Sequence, residues 1–419
     1  MKIPLWISLV AIGSLSCGAA LADDWPGFRG PTGQGISGLS GLPVEWDKAA
    51  NVMWKQPIPG EGWSSPIVAE GRIYLTASVP VPQSEKKDRS LVALCLDSAT
   101  GKVLWEKEVF LQDGKSPRPH PKNSHASPTP LIDHGRLYVH FGHHGTACLD
   151  LEGNIIWRNT DLKYAPVHGN GGSPILVNDT IVFSCDGGEK RFVVALDCET
   201  GKKRWLTERT VETKQRFSFS TPLLITVNGQ QQIISSGSNV VSALDAQTGQ
   251  EIWQVKYKGY SVIPRPVYGH GLVFISTGFD SPGLIAVRPD GKGDVTKTHV
   301  AWTIRKGAPL TPSPLLVGDE LYLISDSGIA SCLDAKTGKV HWQERIEGNY
   351  SASPVYADGR IYYQNETGTG TVLRAEKKFE VLARKNRLEA RTLASYAVAD
   401  GSIFIRTDHD LYRIATQKQ

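Results

Sequence analysis

Ala195-Leu196-Asp197-Cys198-Glu199-Thr200-Gly201-Lys202-Lys203-Arg204-Trp205 decides the fold, because the chain repeats the phrase four times. Ala243-Leu244-Asp245-Ala246-Gln247-Thr248-Gly249 leads to Trp253, Cys95-Leu96-Asp97-Ser98-Ala99-Thr100-Gly101 to Trp105, and Cys332-Leu333-Asp334-Ala335-Lys336-Thr337-Gly338 to Trp342. Trp54, Trp157 and Trp302 extend the series to seven evenly spaced tryptophans. A period of roughly 40–50 residues built from short strands marks a propeller blade, a unit that buries its apolar faces only by stacking on neighbours. The expected architecture is all-β: an eight-bladed β-propeller of four-stranded antiparallel blades, closed by an N-terminal strand.

Working outward from the phrase, each unit opens on a Ser-Pro or Thr-Pro step before an apolar run: Ser65-Pro66, Ser127-Pro128, Ser173-Pro174, Thr221-Pro222, Ser313-Pro314 and Ser353-Pro354. Arg265-Pro266 fills the slot in one unit and Tyr396-Ala397 in the last. Proline at the first residue of a strand forfeits no ladder hydrogen bond. A Gly turn and an alternating strand follow, as in Gly71-Arg72-Ile73-Tyr74-Leu75. The third strand carries Ala/Cys-Leu-Asp, and the outermost bears the tryptophan. Asp410-Leu411-Tyr412-Arg413-Ile414 is a third strand with no fourth after it, and Asn51-Val52-Met53-Trp54-Lys55 is a fourth strand with no blade before it. Each completes the other, which removes an exposed sheet edge. The seventh unit, around Ala375-Glu376-Lys377-Lys378-Phe379, lacks both the Gly turn and the Trp.

Residues 1–22 form the expected signal peptide: Lys2, an apolar run from Leu5 to Leu15, and the small-x-small exit Ala20-Leu21-Ala22. Residues 23–50 form an extended Gly/Pro-rich segment and 51–419 the propeller. The apolar run is too short to span a bilayer comfortably, so the protein is expected to be exported, periplasmic or secreted, and to act as a monomer. Lipidation at Cys17 is the rival reading. The remaining five cysteines are expected as thiols, since Cys95, Cys148 and Cys332 occupy a slot filled by Ala in sister units. Charged residues are 21% of the chain, mixed in sign, and the net charge is only +4, which excludes the electrostatic footprint of a nucleic-acid binder.

The phrase resembles the tryptophan-docking motif of the pyrroloquinoline-quinone (PQQ) repeat, and the resemblance runs from about residue 50 to the C-terminus. The superfamily holds quinoprotein dehydrogenases and the outer-membrane assembly lipoprotein BamB, so the resemblance implies the fold far more than an activity. Trp25-Pro26-Gly27-Phe28-Arg29-Gly30-Pro31 is similar to a segment common at the mature N-termini of PQQ-binding-like exported proteins. The adjacent cysteines of many quinoprotein alcohol dehydrogenases are absent here, and no residues match their calcium-binding Glu and Asn or catalytic Asp.

Loops joining successive blades, and those joining second to third strands, share one face of a propeller. Trp63, His125, His168, Asn170, Arg265 and Tyr350 on these loops are the ligand- or cofactor-binding candidates. His125, His143, His144 and His168 are the metal candidates, though no tight ligand spacing supports them. No nucleophile elbow or phosphate loop is present, and no residue is assigned as catalytic. The leading expectation is an exported, non-catalytic propeller binding a protein partner or a saccharide on its loop-rich face. The alternative is a PQQ-dependent oxidoreductase with calcium, in which Arg265 pairs a cofactor carboxylate and Trp63 stacks on the ring.

Overall fold

The structure, a computed structural model, describes residues 24–47 and 50–417. The expected signal peptide and Cys17 lie outside these residues. Eight antiparallel sheets follow one another around a ring. Blade 1 is Ile67–Ala69, Arg72–Pro80, Arg89–Asp97 and Val103–Gln112, and its second and third strands are longer than those of the neighbouring blades. In blade 8, Ala397–Ala399, Ser402–Arg406 and Asp410–Ala415 are completed by Val52–Pro57 from the start of the chain. Trp54 pairs with Arg413 and Lys55 with Tyr412, so the ring is closed by the strand expected from sequence. Among the described residues no helix is long and apolar enough to cross a membrane.

The repeated phrase works as a local device. Asp97 Oδ1 accepts from both the backbone N–H and the hydroxyl of Thr100, each at 2.7 Å, and Asp197, Asp245 and Asp334 do the same for Thr200, Thr248 and Thr337. The next residue is glycine for two reasons. Gly201 has φ +68°, and a Cβ there would lie 2.4 Å from the ring of Trp157. The outer-strand indole of one blade thus lies flat on the turn of the next and donates to it: Trp54 to Ser98 O, Trp105 to Leu151 O, Trp157 to Cys198 O, Trp302 to Ala335 O and Trp342 to Glu376 O. Trp253 donates instead to Gln232 Oε1, whose amide passes the bond to Pro289 O in the stretched turn of blade 5. That stretched turn also adds Gly293–Asp294 as a fifth, parallel strand on the outer edge of blade 4. Trp205 rests against Gly249 but its Nε1 finds no partner.

Blade 7 solves its missing tryptophan from a distance. In the other blades with an aromatic pair, an aromatic of the second strand meets the blade's own Trp, as Tyr74 meets Trp105 and Phe404 meets Trp54. In blade 7 the partner of Tyr362 is Trp46 from the N-terminal segment, stacked at 6.4 Å and 22° and only 2% exposed. Asn386 on the outer strand holds it there, accepting from Trp46 N and donating to Val44 O.

Two of the expected blade starts shift. Blade 2 begins at Thr129-Pro130, two residues beyond Ser127-Pro128, because its first strand is Leu131–Asp133. In blade 8 the slot is Ser395-Tyr396, one residue before Tyr396-Ala397, since the strand begins at Ala397. In both cases the hydroxyl at the slot is the one that joins the hub described next. All five described cysteines are free and buried.

Candidate functional site

The slot residue of each blade sits at the top of its innermost strand, on the channel. Its backbone N–H donates to the slot hydroxyl of the next blade: Ser65 to Thr129, Thr129 to Ser173, Ser173 to Thr221, Arg265 to Ser313, Ser313 to Ser353, Ser353 to Ser395 and Ser395 back to Ser65, at 2.9–3.2 Å. One link of the circle is made differently, because Arg265 carries no hydroxyl; there Ser220 Oγ donates to Pro264 O at 2.8 Å.

One end of the channel is filled by the N-terminal segment. Trp25 bonds both ways with Val68 of blade 1, Pro26 O accepts from Ile132 N of blade 2, and Gly35 and Ser37 bracket Tyr356 of blade 7. The segment thus crosses the channel and adds backbone bonds to inner edges that would otherwise be unpaired. Arg29, 1% exposed, donates to Gln34 O and Pro314 O, and Arg265 donates to Phe28 O and Pro222 O. Burial pulls both guanidinium pKa values down to about 9, Arg265 adding to the effect on Arg29.

Above this floor, on the loop face, lies a cavity of 330 Å³ whose lining includes Phe28, Trp63, Phe217, Phe219, Tyr260 and Phe279. The residue two before each slot lines it in all eight blades: Trp63, Ser127, Gly171, Phe219, Ile263, Thr311, Ser351 and Leu393. The slot residues line it too, Arg265 excepted. This is the period of an extended chain, in which alternate side chains share a side. At the mouth Arg391 lies 5.4 Å over the Trp63 ring, near the distance of a cation–π contact, and Lys122 pairs with Glu366 at 2.6 Å.

The candidates from sequence separate under this rule. Trp63 and His168 line the cavity, His168 with its edge toward Phe217 at 5.1 Å. Tyr350 and Asn170 stand three before their slots and turn away. Tyr350 is fully buried and donates to Glu347 O. Asn170 accepts from Tyr164 and meets His143 Nδ1 at 3.3 Å. Arg265 points beneath the floor, onto Phe28 O. His125, His143 and His144 form a separate packed group: His143 and His144 lie 3.8 Å apart by ring centroid, His144 and His125 6.0 Å, and Gln112 meets His125 Nε2 at 3.0 Å. His168 is outside that group, and among the described residues no three His, Cys, Asp or Glu side chains are arranged to hold a metal ion. Burial is the main force lowering His125 to about 4 and His144 to about 3. The aromatics Phe217, Phe219 and Phe279 escaped the sequence reading, although Phe219 stands before Thr221-Pro222 as Trp63 stands before Ser65-Pro66.

These donors do not suit PQQ with calcium. Among the described residues no Asp or Glu lines the cavity, so a calcium ion there would lack the oxygen anions it prefers. The one arginine of the hub is committed to carbonyls under the floor.

The family model described as "Outer membrane protein assembly factor BamB" matches residues 36–108, 88–291 and 237–417. Outer membrane protein assembly factor BamB of Yersinia pestis is 26% identical over 213 residues, 46% of this chain and 51% of the relative. The chain spans about half the length of the curated relatives it matches. In structure it is similar to BamB from Moraxella catarrhalis, with TM-score 0.60, 13% identity, and 88% of this chain and 98% of that one covered. It is also similar to quinohemoprotein alcohol dehydrogenase from Comamonas testosteroni, with TM-score 0.65, 12% identity, and 95% and 81% covered. At such identities the structural likeness carries the fold alone.

Proposed function

Since this chain belongs to the family of outer membrane protein assembly factor BamB, we propose that it is an exported, non-catalytic propeller that binds a segment of a protein partner in the cavity of its loop face. The observation that carries this reading is the cavity wall. Aromatic rings from several blades converge on one opening, closed below by the chain's own N-terminal segment, with no carboxylate among them. Apolar walls with a few oriented polar groups are what a binding pocket needs, whereas metal or paired acid–base chemistry draws on carboxylates, and among the described residues none lines this wall. We also assign the interblade indoles Trp54, Trp105, Trp157, Trp205, Trp253, Trp302 and Trp342 to structural docking.

Photo-crosslinkers placed in the intact protein at Trp63 or Phe219, and for comparison at Leu104 on the outer wall, test the reading in the exporting cell. Partner adducts should form at the cavity positions, compete away when Trp63 is intact elsewhere in excess protein, and fail to compete with a Trp63→Ala competitor. Adducts confined to Leu104 would refute the cavity as the binding site. Binding of oligosaccharides dependent on Trp63 would transfer the same cavity to a saccharide ligand. Dye-linked turnover after reconstitution with PQQ and calcium would replace the reading with an oxidoreductase.

A further inference from the structure

The hub hydroxyls carry more chemistry than the fold uses. Ser65, Thr129, Ser173, Thr221, Ser313, Ser353 and Ser395 are each between 2% and 6% exposed, and all seven line the cavity. Each accepts one backbone N–H from the preceding blade. None donates its own proton to any group among the described residues. A buried hydroxyl holds one donor and two acceptor lone pairs, so here an acceptor function is used and the donor is left over seven times, around one axis.

The charge beneath the ring has the same sense. At the one slot without a hydroxyl, among the described residues, the Arg265 guanidinium is bonded only to Pro222 O and Phe28 O, and next to it that of Arg29 only to Gln34 O and Pro314 O. Arg29 Nε and Nη1 are buried with no partner, and among the described residues neither guanidinium is hydrogen-bonded to a carboxylate. The ion pairs of the described residues do not include them. Uncompensated positive charge in a low-dielectric setting raises the affinity of a nearby site for an anion. Among the described residues no Asp or Glu lines the cavity to oppose it.

We infer that the channel end of the cavity is a carboxylate site, receiving a monocarboxylate whose apolar body lies among Trp63, Phe217, Phe219, Tyr260 and Phe279. The inference rests on the proposed function, and names the chemistry that the partner segment or ligand presents there. Hydroxyl protons suit a singly charged, planar acceptor; a dianion such as phosphate is ordinarily met by cations at contact distance, whereas Arg29 and Arg265 do not line this cavity and Lys122, which does, is paired with Glu366. A free aromatic acid and the C-terminus of a peptide ending in an apolar residue share this chemistry.

Calorimetric titration of the whole exported protein compares 3-phenylpropionate with its primary amide, then a tripeptide ending in Phe with the same peptide amidated. The carboxylate is expected to bind about tenfold or more tightly than the amide. The preference should shrink in Ser353→Ala, which removes one donor, and in Arg265→Met if that variant keeps its circular dichroism. The wild-type comparison stands without either variant. Binding of the acid but not the tripeptide assigns a small acid as the source, and binding of both free carboxylates assigns a chain terminus. Equal affinity for acid and amide would overturn the carboxylate site and leave the cavity as a binding site. Binding of neither, with Trp63 crosslinks still formed, also overturns the inference alone; absence of both removes the proposed function with it.

Discussion

Replacing Trp46 with Ala tests whether a residue outside the repeat supplies what blade 7 lacks. Trp46 is 2% exposed and stacked on Tyr362. A Cβ at Gly370 would come within 2.6 Å of its ring, so the fit is close on that side as well. Truncating a buried aromatic costs about 3–5 kcal/mol. The indole Nε1, however, is buried without a partner, and removing an unsatisfied donor returns roughly 1 kcal/mol of its desolvation. The net expectation is about 3 kcal/mol. Trp342→Ala provides the scale: its ring is 8% exposed but Nε1 donates to Glu376 O at 3.0 Å. Losing that bond as well places its cost about 2 kcal/mol above that of Trp46→Ala. Urea unfolding followed by far-ultraviolet circular dichroism measures both, with midpoint and slope compared because eight blades need not unfold as one unit. Trp46→Phe, which keeps a stacked ring, should recover more than half the loss. A Trp46→Ala protein within about 0.5 kcal/mol of wild type would refute the substitution of Trp46 for the missing blade tryptophan.

Other outcomes follow from buried groups. His125, His140 and His144 are kept neutral chiefly by burial, with pKa values pushed down to about 4, about 3 and about 3. Because the unfolded chain takes up these protons first, stability is complete above about pH 6.5 and falls as the pH drops toward 4, by up to about 4 kcal/mol per pH unit if all three act. Urea midpoints at pH 7, 6 and 5 that do not change would refute this, and His140→Asn should lessen the slope by a third. Burial pushes the Cys95 thiol up to about 11 and those of Cys148 and Cys332 up to about 12, so an aromatic disulfide reagent at pH 8 should titrate almost no thiol in native protein. In denaturant a chain beginning at residue 23 should titrate five; fewer would reveal a disulfide. Arg265→Ala removes two buried hydrogen bonds, one of them to Phe28 O in the N-terminal segment, at about 2–3 kcal/mol, and should expose residues 24–47 to protease. Trp63→Ala, on a half-exposed ring at the cavity mouth, should leave both stability and protection near wild type.

How much was legible depends on the range of the forces involved. The Asp-x-x-Thr-Gly turn is closed by bonds between residues three apart, and its glycine is demanded by local φ. Such features leave their mark in a short string, and a string repeated at blade spacing implies the ring. The alternation that aims Trp63 into the channel was likewise visible, and the same period would have added Phe219 and excluded Tyr350 had it been applied at every slot. The starts at Thr129 and Ser395 were misplaced because two adjacent Xaa-Pro steps, or none, look alike until a neighbouring blade selects the hydroxyl it bonds.

What the chain determined alone, then, is the blade: a period of strands, its turn chemistry, and the outer strand borrowed from the start of the sequence to close the ring. Only the tertiary structure decided where Arg265 and Trp46 go. Arg265 meets the N-terminal segment more than 200 residues away in sequence, and Trp46, within that segment, covers Tyr362 over 300 residues on. Contacts across such distances obey no local period, because they are chosen by which surfaces the closed ring leaves open to be filled.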